Sequence, residues 1–237
     1  MNASGHALVT GGGSGIGAAV AKMLVATGLQ VTVLGRRLAP LHELASKHPG
    51  HMAAVQADVA DVDAVARAVT QARAHFGPIT VLVNSAGQAS SAPFLKTDAA
   101  LWQQMLAVNL TGTFHCTQAV LPDMLQAGWG RIINIASTAG LAGYAYVAAY
   151  CAAKHGVVGL TRALALELAS KCVSVNADGP GYTETELLRD SIAHVIAKTG
   201  RTEEAARAEF AAGNPQGRIV QPEEVADTVR WLCSAGA

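Results

Sequence analysis

Three polar residues in the second half of the chain have the types and spacing of a proton-transfer set. Tyr150 is followed four residues later by Lys154, and Ser137 precedes the tyrosine by thirteen residues. Residues four apart on a helix share one face, and an ammonium beside a phenol would lower the tyrosine pKa from about 10. Tyr150 is therefore a candidate general acid or base, and Ser137 a candidate partner for the reacting oxygen. The alternative is an ordinary pair on a helix surface, but the serine at a predicted strand end favours chemistry.

A glycine-rich turn lies near the start of the chain, between an apolar strand and the opening of a helix. Glycines lack Cβ, so the backbone can approach a pyrophosphate, whose charge the helix N-terminus stabilises. A second predicted strand follows at the expected distance, as a dinucleotide-binding turn requires. The candidate cofactor contacts in this turn are Thr10, Gly11, Ser14, Gly15, Ile16 and Gly17.

The residues after the second predicted strand bear on the choice of cofactor. An acidic residue about 20 positions beyond the turn would bind a ribose 2′-hydroxyl, but Gly35 stands there, followed by Arg36 and Arg37. Glycine leaves room for a 2′-phosphate, and arginine is a bidentate partner for it. The pattern predicts NADP(H) in preference to NAD(H). Alternatively, the arginines stack on adenine or face solvent, and Ser14 is not the basic residue that would strengthen the NADP(H) prediction.

Two further predicted strand ends carry candidate cofactor contacts. Asp58, next to Val59, either accepts the adenine amino group or caps the helix that begins near Asp61. Small residues follow the fourth strand, which suits close approach of the backbone to a ligand, although a plain strand-to-loop turn has the same composition. The candidates there are Asn84, Ala86 and Gly87.

Short apolar runs alternate with longer helical patterns along the chain, which is typical of βαβ units and a parallel sheet. The predicted strands are 7–10, 30–34, 52–56, 80–84, 130–135 and 173–177. The predicted helices are 15–27, 38–47, 62–76, 99–127, 149–168 and 222–234. The strands are rich in Val, Ile and Leu, which predicts helices on both faces of the sheet. We expect a single α/β domain over residues 1–237, with a Rossmann-like, doubly wound parallel sheet.

Residues 182–214 interrupt the alternation with a charged, weakly amphipathic segment. An insertion after the carboxyl end of a strand lies above the ligand crevice of such a sheet. We expect a mobile helical substrate lid here, with a solvated pair of surface helices as the alternative.

Composition excludes several classes of partner. The formal net charge is zero and only 14% of residues are charged, so no global field attracts nucleic acid or an anionic membrane. Residues 1–5 lack the features of a secretory signal, and no run of 18 apolar residues exists. The four cysteines show neither C-x-x-C pairing nor metal-ligand spacing. We expect a cytoplasmic protein without a metal site.

Together these motifs resemble the short-chain dehydrogenase/reductase family, in its compact single-domain form. The resemblance extends from the glycine-rich turn to the segment after the sixth strand, and it includes Asn109. It implies that Asn109 holds a water in a proton relay with Lys154, and that Lys154 binds the nicotinamide ribose. It further implies that Thr185 contacts the carboxamide or the pyrophosphate. The cofactor contacts implied at this end of the chain are Pro180, Gly181, Thr183 and Thr185.

Two features depart from the family pattern. Asp178 and Gly179 precede Pro180 where apolar or small residues are usual, so a carboxylate near the nicotinamide would need a hydrogen-bond partner. Either the site is locally unusual, or the Pro180 loop is shifted. Family members also continue past the last helix into another strand, whereas this sequence stops at Ala237. We expect that this C-terminal strand is missing.

The predicted pocket and the resemblance together suggest a function. Apolar side chains, and a few that end in a polar group, surround the predicted proton-transfer set. Such a pocket suits a ketone, a 3-oxoacyl thioester or a cyclic alcohol. Similarity to 3-oxoacyl-thioester reductases and 3-hydroxyacyl dehydrogenases favours the thioester. Alternatives are oxidation of a cyclic or aryl secondary alcohol, and a non-catalytic NADP(H)-sensing protein on the same fold. The apolar helix 149–168 predicts a homotetramer or homodimer. The pocket residues are Gln88, Phe94, Leu141, Tyr144, Tyr146 and Val147.

Overall fold

A computed structural model describes residues 5–234 and 236–237 of the chain. Within these residues one parallel sheet has the strand order β3-β2-β1-β4-β5-β6. The order reverses direction between β1 and β4, and such a switch point is where doubly wound sheets bind ligands. The strands are β1 (His6–Thr10), β2 (Gln30–Gly35), β3 (Met52–Gln56), β4 (Ile79–Asn84), β5 (Gly130–Ile135) and β6 (Val173–Asp178).

Helices cover both faces of this sheet, as the apolar strands require. The apolar faces of α1, α2 and α9 pack on one side, and those of α3, α5 and α6 pack on the other. The prediction of a Rossmann-like, doubly wound α/β fold is confirmed. In the described part of the chain, no helix is both long and apolar enough to cross a membrane. The helices are α1 (Gly15–Ala26), α2 (Leu38–Ser46), α3 (Val62–Phe76), α4 (Ala99–Leu106), α5 (Gly112–Ala127), α6 (Ala148–Leu168), α7 (Glu186–Thr199), α8 (Glu203–Ala212) and α9 (Pro222–Leu232).

The helix predicted over 99–127 is present with those bounds, but it is not α-helical throughout. A π-helical turn, Ala107–Thr111, separates α4 from α5 and carries Asn109 at its centre. The side-chain amide of Asn109 donates to the carbonyl of Met105, one helical turn back, at 2.9 Å. A π turn adds a residue to the helix and changes the direction of its side chains, which is why such turns recur at functional sites.

The insertion, residues 182–214, folds as the helix pair α7 and α8 with a small apolar cluster of its own. Asn214 closes it: Oδ1 accepts from the backbone N–H of Tyr182 at 2.8 Å, and Nδ2 donates to the Tyr182 carbonyl at 2.9 Å. A parallel bridge between Thr183 and Val220 reinforces this closure. The insertion is therefore fastened at its two ends, next to the carboxyl edge of the sheet. Nothing in the sequence analysis singled out Asn214.

Candidate active site

The carboxyl ends of four strands bring the predicted functional segments together. Because the strands are parallel, the glycine-rich turn after β1, the small residues after β4, Ser137 after β5 and Pro180 after β6 share one edge of the sheet. The first turn of α6 carries Tyr150 over this edge. The fold thus collects segments that are separated by up to 170 residues in sequence.

Tyr150 and Lys154 lie one above the other on α6, as their spacing predicts. The Nζ atom of Lys154 is 5.7 Å from the centre of the Tyr150 ring. Lys154 is buried, and Nζ donates to the carbonyl of Ile135 at the end of β5, at 2.8 Å. The side chain of Ser137 lies near the Tyr150 hydroxyl. The sheet end and the helix therefore hold the three groups as one unit.

The electrostatics of this unit differ from the expectation. Burial raises the pKa of Tyr150, and the nearby Ser137 side chain opposes this effect to a smaller extent. Burial also lowers the pKa of Lys154, to about 8. The prediction of a lowered tyrosine pKa is wrong for this arrangement, because desolvation of the phenolate outweighs the ammonium. A neutral phenol is the form of Tyr150 that this environment favours.

Asn109 and Lys154 approach each other around Gly87. A Cβ on Gly87 would lie 3.0 Å from Asn109 Oδ1 and 3.8 Å from Lys154 Nζ. The side chain of Asn109 is also bound to the backbone of Gln88, with Nδ2 donating to the carbonyl at 2.9 Å and Oδ1 accepting from the N–H at 3.2 Å. Asn109 therefore fixes the loop after β4 beside the buried lysine. The water that the family resemblance places here stays a prediction.

The glycine-rich turn has the backbone that a pyrophosphate cradle needs. Gly11 and Gly15 have φ angles of +65° and +50°, and a Cβ on Gly11 would lie 2.9 Å from the backbone of Ala86. A Cβ on Gly17 would collide with the carbonyl of Gly11. Ser14 begins α1 but its side chain does not cap the helix, and no acidic residue lies in the first turn. The N–H groups of that turn are thus available to an anion, and the residues fit a dinucleotide phosphate.

Two predicted cofactor contacts use their side chains inside the protein instead. The hydroxyl of Thr10 accepts from the backbone N–H groups of residues 85 and 86, both at 3.0 Å. The amide of Asn84 donates to Asn134 Oδ1 at 2.9 Å and to Thr117 Oγ1 at 3.2 Å, in the interior. These side chains position the loop after β4 against the glycine-rich turn. They explain why Gly11 and Ala86 approach so closely.

The residues after β3 show whether Asp58 caps the next helix. Asp61 caps α3, accepting from the N–H groups of residues 63 and 64 at 2.9 and 3.0 Å. Asp58 instead accepts from Ala60 N at 3.0 Å, so the prediction that it caps the helix is wrong. Its contact with adenine stays a prediction. The side chain of Val59 is buried, and its carbonyl lies 3.0 Å from His115 Nδ1.

A cavity of about 290 Å³ opens beside the glycine-rich turn at the ends of β1 and β2. Ser14, Gly35, Arg36 and Arg37 are among its lining residues, which brings the predicted 2′-phosphate contacts together. Arg37 donates to Glu186 Oε2 at 2.7 Å, an ion pair with the first residue of α7. The sequence analysis did not identify Glu186 as part of this site.

The segment after β6 reaches the glycine-rich turn from the other side. The carbonyl of Pro180 accepts from Thr138 N at 3.1 Å, and the hydroxyl of Thr183 donates to the Gly181 carbonyl at 3.0 Å. A Cβ on Gly15 would lie 3.0 Å from Thr185 Cγ2. Thr185 therefore packs directly on the turn, next to the predicted phosphate site.

Asp178 continues β6 in regular register opposite Ile135, and its carbonyl accepts from Ala136 N at 2.7 Å. β6 is therefore regular up to Asp178, which argues against a shift of the Pro180 loop. Asp178 Oδ2 is buried and has no hydrogen-bond partner among the described residues. Burial accordingly raises the pKa of this carboxyl.

Aromatic residues connect the loop after β5 with the insertion. The hydroxyl of Tyr144 donates to Thr138 Oγ1 at 3.0 Å. The ring of Tyr144 meets that of Tyr182 edge to face at 6.3 Å, and Tyr182 meets Phe210 on α8 at 4.9 Å. Leu141 and Tyr146 are largely exposed nearby. These three rings in edge-to-face contact, Tyr144, Tyr182 and Phe210, are called the aromatic wall below.

Comparison with known proteins agrees with this geometry. A family model for short chain dehydrogenases matches residues 5–195. A cis-4-hydroxycyclohexanecarboxylate dehydrogenase of Sinomonas cyclohexanicum is 40% identical, over 98% of this chain and 90% of its own length. A 3-oxoacyl-[acyl-carrier-protein] reductase of Synechocystis sp. is 40% identical, over 96% of this chain and 88% of its own. A crystal structure of a variant of actinorhodin polyketide ketoreductase with NADPH superimposes with a TM-score of 0.94 at 39% identity, covering 99% of this chain and 92% of that one.

The chain belongs to the short-chain dehydrogenase family. It is therefore an oxidoreductase, and its relatives support activity on the ketone and secondary-alcohol pair.

Proposed function

We propose that this protein is an NADP(H)-preferring carbonyl reductase and alcohol dehydrogenase that uses Tyr150 as its general acid and base. The observation that carries the proposal is the unit of half-buried Ser137 and Tyr150 and buried Lys154 at the sheet edge that also bears the glycine-rich turn. A non-catalytic nucleotide sensor on this fold needs the turn but not the proton-transfer unit. Asn109 completes the unit beside Lys154.

Each residue has a defined part in the proposed reaction. The nicotinamide, when bound, supplies or accepts a hydride at the carbonyl carbon. Tyr150, which burial keeps as a neutral phenol, donates its proton to the substrate oxygen during reduction. Ser137 orients and polarises that oxygen. Lys154 binds the nicotinamide ribose and favours the phenolate that forms, and Asn109 supports the return of the proton.

The proposed cofactor contacts follow the same edge of the sheet. The turn from Gly11 to Gly17 binds the pyrophosphate through its backbone, and Thr185 packs beside it. Arg36 and Arg37 bind a 2′-phosphate in the cavity that they line. The NADPH in the related ketoreductase structure supports this choice. NAD(H) is the alternative cofactor.

For the substrate we propose a 3-oxoacyl thioester, a class named for the relative from Synechocystis. The aromatic wall of Tyr144 and Tyr182, and the cyclohexane-ring substrate in the name of the Sinomonas relative, favour a cyclic secondary alcohol as the second candidate. The two candidates use the same proton-transfer unit. They differ in how much of the substrate must lie against the aromatic wall.

One assay tests cofactor and substrate together. The absorbance of NADPH and of NADH is followed separately with acetoacetyl-CoA, with cyclohexanone derivatives, and with the corresponding alcohols in the reverse direction. Faster use of NADPH with acetoacetyl-CoA is the expected result. Faster use of NADH would contradict the cofactor proposal, and turnover of the cyclic substrates alone would favour the second candidate. Cofactor binding without turnover of any of them would favour the sensor.

We further propose that the insertion, residues 182–214, acts as a substrate lid, and that the chain forms a dimer or tetramer. The lid proposal is supported by two contacts of this segment, that of Thr185 with Gly15 and that of Tyr182 with Tyr144. Association is supported by apolar side chains that stay exposed on the described monomer, with Leu166 on α6 at 84% and Phe114 on α5 at 43%. Light scattering of wild type and Leu166→Glu tests the interface; a monomeric wild type would contradict it.

A further inference from the structure

Glu186 connects the insertion to the cofactor side of the sheet. It is the first residue of α7, yet its carboxylate lies on Arg37, 149 positions earlier in the chain, with Nη2 and Oε2 at 2.7 Å. The pKa of this carboxyl is lowered chiefly by Arg37 and to a smaller extent by the nearby Ser14 hydroxyl. Glu184, two residues earlier, behaves differently, because it pairs with Arg189 and Arg207 inside the insertion.

The guanidinium that Glu186 binds is one that an incoming phosphate would need. Ser14 and Arg37 both line the cavity of about 290 Å³ beside the glycine-rich turn. A guanidinium and a hydroxyl at a helix N-terminus are suitable donors to a phosphate monoester. A carboxylate bound to Arg37 takes up a hydrogen bond that the phosphate would use, with an anion of smaller charge. Arg37 therefore cannot make all of its hydrogen bonds to Glu186 and to a phosphate at the same time.

We propose that Glu186 competes with the 2′-phosphate of NADP(H) for Arg37, and so sets how strongly the protein prefers NADP(H) to NAD(H). This inference rests on the NADP(H) function proposed above. The 2′-phosphate displaces the carboxylate, whereas the 2′-hydroxyl of NAD(H) leaves it in place. Glu186 is thus a specificity residue that weakens binding of the phosphorylated cofactor.

The same competition affects the start of the insertion. Thr185, next to Glu186, packs on Gly15 of the glycine-rich turn. While Glu186 holds Arg37, the first turn of α7 is fastened to the cofactor site at two neighbouring residues. Displacement of the carboxylate by a 2′-phosphate removes one of these attachments, so NADP(H) loosens the first turn of α7 and NAD(H) does not.

The expected effect is modest because the ion pair is exposed, with 66% of the Arg37 side chain and 48% of the Glu186 side chain accessible. Exposed pairs contribute little, which corresponds to a change of about fivefold or less in a binding constant, and the change should shrink in high salt.

Calorimetric titration with adenosine 2′,5′-bisphosphate and with AMP tests the competition without turnover. For Glu186→Gln we expect the bisphosphate to bind about three- to fivefold more tightly than to wild type, with AMP unchanged. The matched control is Asp190→Asn, which removes the same charge from an exposed position on α7. An equal gain in the control, or an equal gain for AMP, would mean that general electrostatics are responsible and would overturn the inference.

Hydrogen exchange of the first turn of α7 provides the second readout. In wild type, NADPH should increase exchange in residues 186–189 relative to NADH, and in Glu186→Gln this difference should vanish. A difference that persists in the variant would overturn the inference. If wild type binds NADPH but the variant behaves identically in both experiments, the inference alone fails. If wild type does not bind NADPH, the proposed function fails and the inference with it.

Discussion

Lys154 donates from Nζ to the carbonyl of Ile135 at 2.8 Å while the same atom lies 5.7 Å from the centre of the Tyr150 ring. The lysine is therefore held by the end of β5, and the tyrosine one turn earlier on α6 is held against it. Lys154 is buried and Tyr150 half-buried, so the ammonium and the phenolate would each lose hydration. This desolvation raises the pKa of Tyr150, which stays a phenol, and lowers the pKa of Lys154 to about 8.

Replacement of Tyr150 by phenylalanine tests the proton-transfer role. Tyr150→Phe keeps the ring but removes the proton, so we expect kcat to fall by about 10² to 10⁴, the usual contribution of a general acid. Affinity for NADPH should stay unchanged in fluorescence titration, since the phosphate contacts do not involve this residue. Comparable turnover in the variant, with the protein folded by circular dichroism, would refute the assignment.

Replacement of Lys154 by methionine should separate stability from function. The lowered pKa means that the unfolded chain binds more protons than the folded one between about pH 8 and the lysine's usual value of 10.5. Burial of the ammonium therefore costs wild type stability below pH 8, and this cost fades as pH rises through the window. Lys154→Met should melt at a higher temperature than wild type at pH 7. This difference in melting temperature should become smaller toward pH 10.

Calorimetry across this pH range provides the measurement, and turnover should be lost in the same variant. A difference in melting temperature that stays constant with pH would contradict the explanation by a buried ammonium. A variant that is less stable than wild type at pH 7 would show that the hydrogen bond to Ile135 outweighs desolvation.

Much of the architecture could be predicted because its signals are local. The strand 130–135 was predicted with the bounds it has, since Ile132, Ile133 and Ile135 give it an apolar pattern and it is buried throughout. Turns with glycines at φ of +65° and +50° are also readable from residue type. The proton-transfer unit was predictable for the same reason: its tyrosine and lysine are four residues apart on one helix.

Other features depend on contacts between distant segments, which local patterns do not encode. In the π turn, Asn109 hydrogen-bonds the carbonyls of Met105 and Gln88. The helical pattern over 99–127 does not indicate this turn. The sign of the Tyr150 pKa shift depends on burial, which spacing alone does not reveal. The Glu186–Arg37 pair joins residues 149 positions apart.

Because His6 is buried, we expect the folded protein to lose stability in weak acid. The Nε2 atom of His6 lies 2.9 Å from Thr32 Oγ1 and its Nδ1 atom 2.9 Å from the Gly77 carbonyl, and burial lowers the pKa of the ring from 6.5. The unfolded chain then binds more protons below about pH 6.5, so the folded state loses stability as pH falls past that value. His6→Gln should be less sensitive to pH between 6.5 and 5 in urea unfolding. His42→Gln, at an exposed site on α2, should keep the wild-type slope; equal slopes in all three proteins would contradict the assignment.

A pair of glycine substitutions distinguishes backbone strain from loss of the phosphate cradle. Gly11→Ala and Gly50→Ala both place a Cβ on a residue with positive φ, +65° and +76° respectively, which costs roughly 1–2 kcal/mol. At Gly50 the Cβ meets nothing within 4 Å, whereas at Gly11 it lies 2.9 Å from the backbone of Ala86.

We therefore expect Gly50→Ala to lower the free energy of unfolding by the strain alone and to bind NADPH as wild type does. Gly11→Ala should lose more stability, because the loop after β4 must move, and should bind NADPH at least tenfold more weakly, about 1.4 kcal/mol. Urea unfolding and fluorescence titration on the two variants measure both quantities. Equal destabilisation with equal NADPH affinity would mean that the contact between Gly11 and Ala86 does not shape the cofactor site.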